Sequence, residues 1–246
     1  SGEGRAYFGS ADGLIAVVEG DKIRKISIPS MLPGGHIGSM IAADGRGVYA
    51  ASGRQLVLIE EDTQAVSVQK HFGSLFAIQM SPGGVIWANS RWGLWREGDG
   101  GWTEIVPDID RQTPLFVSMA FDSTGNLWTG THAGEIYRFD GEIWIRFADR
   151  GELTDRPIDG LIVDGIKRPW AVSTTTGVFR FDGSGWKKFP VSSFDESEIV
   201  DWALDSSGRM TVVTPDTIKA FDDETGWSVL EGPDTKQVGH YRTIRF

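Results

Sequence analysis

There is no cysteine anywhere in the 246 residues. That one absence removes disulfides, thiol nucleophiles and thiolate metal sites together. It fits the cytoplasm and a periplasmic or extracellular setting equally, so the compartment stays open. No stretch approaches the roughly 18 consecutive apolar residues that a membrane-spanning helix requires, and no signal-peptide pattern opens the chain. The first residue is Ser1 rather than Met, which implies that a tag, leader or neighbouring segment was removed. Positive charge is in deficit: Lys and Arg total 24 against 34 Asp and Glu, a net charge of −10. Such a surface opposes general nucleic-acid binding, which needs cations to displace counterions, and it opposes anionic membranes. It suits solubility, or a basic partner. There are only four His, and no pair has the spacing of metal ligands. A P-loop and a Gly-x-Ser-x-Gly elbow are both missing. The glycine-rich run Pro33-Gly34-Gly35-His36 lacks a βαβ context and reads as a loop. No cofactor or metal is expected, and a catalytic role is the less favoured one.

What the chain does have is 32 Gly and ten Trp. Many glycines and aromatics without long helical patterns indicate short strands joined by tight turns. The segment 121–147, FDSTGNLWTGTHAGEIYRFDGEIWIRF, aligns with 163–189, VDGIKRPWAVSTTTGVFRFDGSGWKKF. Trp128 matches Trp170 and Trp144 matches Trp186, both 42 residues apart. The unit recurs upstream with Trp87 and Trp102. Downstream it keeps Trp227 but has Thr211 in the first Trp position. Tyr49 and Tyr7 take that position in the two earliest units. The markers Tyr7, Tyr49, Trp87, Trp128, Trp170 and Thr211 are spaced 42, 38, 41, 42 and 41 residues apart. Six units of this length predict an all-β, six-bladed β-propeller with four-stranded blades, spanning 1–246 as one domain.

In the fourth unit the expected strands are 115–121, 126–131, 135–139 and 144–147. Asp-x-x-Gly and Phe-Asp-Gly are turn signals between them. The first unit lacks an inner strand, and residues 241–246, YRTIRF, match that missing piece. The C-terminal strand is therefore expected to complete the first blade and cover a sheet edge.

The run DSTGNLWTGTHAGEIYRFD, from Asp122 to Asp140, resembles the propeller repeat of two-component regulator sensor proteins. It also resembles, more loosely, the blades of streptogramin B lyases. The Gly-x-Ile-Tyr-Arg-Phe-Asp-Gly stretch is similar to tectonin-type lectin repeats. The likeness covers residues 75–189 best and operates at the level of one blade. It implies the propeller fold; the activities of those families differ, so it implies no single function. Streptogramin lyases use a propeller-face His with a divalent cation, and no matching local motif is found here.

In a propeller, loops entering the inner strands share a face with loops joining second and third strands. That rule assembles residues 10–12, 52–54, 90–92, 131–133, 173–176 and 214–216. The entering loops add His36, His71, 108–111, 154–159, 195–198 and 234–240. Eight of the ten Trp recur in register, or share a position with Tyr137 and Phe179, and read as packing residues. Trp92, beside Arg91, and Trp202, beside Asp201, break the repeat. An off-register Trp is a candidate stacking platform. The acidic residues Asp155, Asp159, Asp195, Glu196, Glu198 and Asp201 form either a solvated rim or a patch for basic groups. The favoured function is a non-catalytic module that binds a protein or extended ligand, basic in character, through Arg91, Trp92, His132, Asp159, Asp201 and Trp202. Alternatives are a tectonin-like lectin, and a lyase or hydrolase using His132.

Overall fold

The computed structural model describes residues 5–9, 14–19, 22–27, 37–43, 46–52, 54–60, 65–109, 114–190, 198–205 and 207–230. Among the described residues the chain forms 23 strands and no helix. Two compact units divide it, Ser1–Met119 and Ala120–Phe246, with the boundary inside a strand.

The first unit holds three antiparallel sheets built in chain order. The first has three strands, β1 (Arg5–Gly9), β2 (Leu14–Glu19) and β3 (Lys22–Ser27). The second comprises β4 (Ile37–Ala43), β5 (Gly47–Ser52), β6 (Gln55–Ile59) and β7 (Val66–His71), and the third β8 (Leu75–Met80), β9 (Ile86–Ser90), β10 (Gly93–Gly98) and β11 (Gly101–Ile105). The second unit repeats the four-stranded meander three times. Its sheets are β12 (Phe116–Phe121) to β15 (Trp144–Ala148), β16 (Gly160–Val163) to β19 (Trp186–Pro190), and β20 (Asp201–Leu204) to β23 (Gly226–Val229). Between them lie β13 (Leu127–Thr131), β14 (Ile136–Phe139), β17 (Pro169–Ser173), β18 (Gly177–Phe181), β21 (Met210–Val213) and β22 (Ile218–Asp222). The four strands expected in the fourth repeat fall within one residue of β12 to β15. Tyr7 lies on β1, so the first sheet starts at the position occupied elsewhere by a second strand. Residues 241–246, expected to supply its inner strand, lie outside the described residues.

Burial follows position in the sheet rather than alternation. Every residue of β5, β9, β13, β17 and β21 is buried. A second strand flanked by both neighbours and covered on both faces has no solvent side, so small and large apolar residues fill it throughout. The clusters run from sheet to sheet within each unit. Tyr49, Leu56, Phe72, Ile78 and Ile86 join the second sheet to the third. Trp128, Leu161, Ala171 and Phe179 join the fourth to the fifth, and Trp170, Val178, Met210 and Phe221 the fifth to the sixth.

One turn chemistry recurs between first and second strands. Oδ1 of Asp122 accepts the backbone N–H of Thr124 and Asn126 at 2.9 and 3.0 Å. Asp164 does the same for Ile166 and Arg168, and Asp205 for Ser207 and Arg209. These bonds close an Asx turn and leave the second oxygen free for another task. In Asp122 and Asp164 it accepts the indole N–H of Trp128 (3.3 Å) and Trp170 (3.2 Å), tying each turn to the buried marker of its blade. Asp205 has Thr211 in place of that Trp, and its second oxygen holds Arg209 Nε at 2.8 Å. Burial opposes ionisation of Asp205, but the donors of Ser207 and Arg209 outweigh it and lower its carboxyl to about 2.

The glycine of this turn has a left-handed backbone, φ +89° at Gly125 and +79° at Gly208. Lys167 occupies the same place with φ 68°, the one non-glycine residue with positive φ among those described. A Cβ in that region costs about 1–2 kcal/mol, partly offset by the extra freedom glycine has when unfolded. Lys167→Gly is therefore expected to raise stability by about 0.5–1 kcal/mol, read as a higher urea midpoint at unchanged slope. A lower midpoint would contradict it.

Candidate functional site

In the first unit, three loops meet. Arg54 sits in the turn between β5 and β6, residues 72–74 lead from β7 into β8, and Arg91 and Trp92 form the turn between β9 and β10. Backbone hydrogen bonds fix them to one another. Phe72 N–H donates to Arg54 O at 2.7 Å, and Arg91 N–H donates to Ser74 O at 2.8 Å. Trp92 N–H donates to Ser90 Oγ at 3.2 Å, an ST turn that sets the tip. The result is a cleft of about 440 Å³ lined by Arg54, Phe72, Gly73, Ser74, Arg91 and Trp92. Its floor is firm: Phe72 is buried and meets Trp95 and Trp102 edge-on, with ring centroids 5.9 and 5.5 Å apart. Trp92 is 67% exposed. Its indole lies so close over Gly73 that a Cβ there would stand 1.9 Å from Nε1. The absence of a side chain at Gly73 is what allows the ring to lie down.

In the second unit the same two kinds of loop touch. Ile158 N–H donates to Thr131 O, and Ile199 N–H to Thr174 O, both at 3.0 Å. Thr154 and Thr176 share a hydroxyl hydrogen bond of 2.9 Å. Asp159 Oδ2 accepts both the backbone N–H (2.8 Å) and the hydroxyl (2.9 Å) of Thr174, so this carboxylate pins one loop to the other. Asp201 is buried at the start of β20 and accepts from the backbone N–H of Trp202. The Trp202 ring is half-buried over Gly160, where a Cβ would stand 2.0 Å from Cζ2. The two off-register tryptophans thus share a device, a ring seated on a glycine at or near the start of an inner strand. His132 is exposed at the tip of the turn that Thr131 Oγ1 holds by accepting from Ala133 and Glu135 N–H.

Within each unit, then, entering loops and second-to-third strand loops lie together. Arg91 and Trp92 share one cleft, and Asp159, Asp201 and Trp202 belong to the loops of the fifth and sixth sheets. Arg54 and Phe72 were not singled out in the sequence, although Arg54 stands five residues after the marker Tyr49 and Arg91 four after Trp87. Their places in corresponding second-to-third strand turns, one residue apart in register, were the available signal. His71 is exposed at the end of β7, with Nδ1 3.1 Å from Gln55 Nε2. Residues 10–12, His36, Asp110, Arg111, Asp195, Glu196 and 234–240 lie outside the described residues. Among the described residues, no three His, Asp or Glu side chains converge as metal ligands would.

These features match known propellers. The N-terminal model of strictosidine synthase-like proteins matches residues 118–139, which run from β12 through β14. No curated protein sequence matches the chain. Among solved structures, virginiamycin B lyase from Staphylococcus aureus superposes with a TM-score of 0.78 at 13% identity, covering 94% of this chain and 81% of that one. An extracellular domain assigned to a hybrid two-component system of B. thetaiotaomicron gives 0.76 at 14% identity, over 94% of this chain and 33% of that one. YCF48 bound to D1 peptide gives 0.73 at 12% identity, over 99% and 82%. The chain is a six-bladed β-propeller of this type, and at such identities the likeness is one of fold alone.

Proposed function

We propose that this propeller is a non-catalytic binding module that holds a protein segment on the loops joining its second and third strands, with Arg91 and Trp92 making first contact. The observation that carries this reading is the cleft over Phe72: a rigid floor, an exposed indole and two guanidinium groups presented by turns that are themselves hydrogen-bonded in place. A large aromatic face held at low entropic cost is the usual anchor of a protein interface. His132 adds an exposed polar contact in the second unit. Asp159 and Trp202 spend most of their chemistry on neighbouring loops and act by holding the surface in shape. The exposed carboxylates of Asp155 and Glu198 favour basic side chains elsewhere on the partner. That another propeller of this fold binds a peptide, as YCF48 does with D1, supports the reading. A lectin of the tectonin kind needs the same cluster on successive blades, and the loop pairs here differ: Arg91-Trp92, His132-Ala133, Thr174-Thr175.

The test is capture from the native source on the immobilised protein, comparing wild type with an Arg91→Ala/Trp92→Ala variant. The expected result is one protein recovered at near-equal stoichiometry by wild type and reduced at least tenfold by the variant. Equal recovery by both would move the interface off this cleft. Recovery of no protein by wild type would overturn the reading.

A further inference from the structure

The cleft offers hydrogen-bond donors in excess. Among the described residues its polar side chains are the Arg54 and Arg91 guanidinium groups, the Ser74 hydroxyl and the Trp92 indole N–H, and none of those lining it is a carboxylate. Both arginines are exposed, and neither has a carboxylate partner among the described residues. This sets them apart from Arg46, Arg146, Arg168, Arg180 and Arg209, each of which is within 4.0 Å of an Asp or Glu. In a protein of net charge −10, two guanidinium groups without a carboxylate partner among the described residues, beside one exposed indole, form a local reversal of sign.

From this we infer that the cleft recognises an acidic peptide segment, one or two carboxylate side chains next to an aromatic or proline residue. The inference rests on the binding-module reading above and names the chemistry of its partner. Guanidinium groups present a planar fork that matches a carboxylate with two parallel N–H···O bonds. Phe72 and Trp92 supply the apolar surface on which the neighbouring residue lies. A volume of about 440 Å³ accommodates a few residues, not a folded surface. The global charge decides between acidic ligands. A field of ten net negative charges repels a polyanion such as nucleic acid or a sulfated glycan along its whole length. A peptide with one or two carboxylates and neutral or basic flanks gains the local attraction without that cost. The carboxylates are the anchor, and basic flanks suit the acidic surface.

The test uses the whole chain and an array of twelve-residue peptides matched in hydropathy, each with a central Phe or Pro flanked by two Glu, two Gln or two Lys. A sulfated oligosaccharide and a twelve-nucleotide DNA strand serve as polyanion probes. The Glu class is expected to bind at least tenfold more tightly than the Gln class, and to weaken as salt rises. Arg54→Ala and Arg91→Ala are each expected to reduce affinity about tenfold, and together about a hundredfold. Arg91→Lys keeps the charge but loses the fork, and retains an intermediate affinity. All of these side chains are exposed, so unchanged thermal unfolding confirms that each variant is folded. Equal binding of the Glu, Gln and Lys classes would overturn the inference and leave the binding-module reading standing. So would Glu-class affinity untouched in the double arginine variant, or tighter binding of either polyanion. Silence from every peptide class and both polyanions would count against the reading itself as well as the inference.

Discussion

Replacing Trp170 by alanine is expected to destabilise the protein by about 3–5 kcal/mol, measured by urea unfolding. Trp170 is 1% exposed and is the largest fully buried side chain among the described residues. Its ring meets Phe221 and Trp227 edge-on at 5.3 and 6.5 Å and lies nearly parallel to Phe189 at 6.1 Å. The Arg180 guanidinium lies over it, 5.1 Å from the centroid. Removing the indole therefore opens a cavity between the fifth and sixth sheets and strips one support from a buried cation. It also takes a donor from Asp164, a group already committed to closing its turn. Trp170→Phe separates these contributions. It keeps most of the ring and loses the N–H, and is expected to cost about 1–2 kcal/mol. Trp92→Ala is the contrast, because that ring is two-thirds exposed. Its cost is expected below about 0.5 kcal/mol. If the three changes cost the same, the division of the tryptophans into packing and presenting residues is wrong.

That division was legible in the sequence for a physical reason. A propeller blade buries its second strand on both faces, so the residue type at the marker is set by the volume between neighbouring sheets. The same requirement recurs every blade, and Trp87, Trp128 and Trp170 meet it with the same side chain. The Asx turns were visible on the same grounds, because Asp122 and Asp205 answer a local backbone demand. Asp164 was harder to see. Its turn has Lys167 where glycine belongs, and the Asp-x-x-Gly signature vanishes although the hydrogen bonds survive. The indole bonds of Asp122 and Asp164 were invisible as well, because they depend on how a turn folds back over the strand that follows it.

The site was legible only in part. Trp92 and Trp202 stood out because they broke the repeat, and both prove to be rings seated on glycines. The identity of those glycines came from the fold: Gly73 lies 19 residues before Trp92, and Gly160 lies 42 before Trp202. Arg54 was placed on this face, in the loop 52–54, but not chosen as a contact, because its pairing with Arg91 arises from two successive repeats placing equivalent turns side by side. Charge told against it too. A net value of −10 draws the eye to acidic loops and a basic partner, whereas the described residues of the cleft between Arg54 and Arg91 present donors. A whole-chain sum averages away the local sign reversal that a binding site uses.

Asp223→Ala is expected to cost about 2–3 kcal/mol, more than its half-exposed position suggests. The carboxylate bridges two arginines of the fifth sheet from the β22–β23 turn of the sixth. Oδ2 accepts from Arg168 Nη1 at 2.7 Å, and Oδ1 accepts from Arg180 Nη1. The buried member is Arg180, whose side chain is 9% exposed and sandwiched over Trp170 and Phe221. Removing Asp223 leaves that cation desolvated and unpaired, and this is the costly state. The paired change tests the account. In an Asp223→Ala/Arg180→Met protein the buried charge is gone, and most of the lost stability is expected to return. Additive losses in the double variant would refute it. Acid gives an independent reading. Hydrogen bonds from Arg168 and Arg180 hold the Asp223 carboxyl below its ordinary value. Its folded pKa is depressed, so the bridge contributes fully above the ordinary carboxylate pKa of about 4 and fades as pH falls through the lower folded value. Wild type should therefore lose stability relative to Asp223→Ala below about pH 4, with the two unfolding midpoints converging as acid increases. A constant gap from neutral to low pH would mean that Asp223 acts through the shape of its turn and not through its charge.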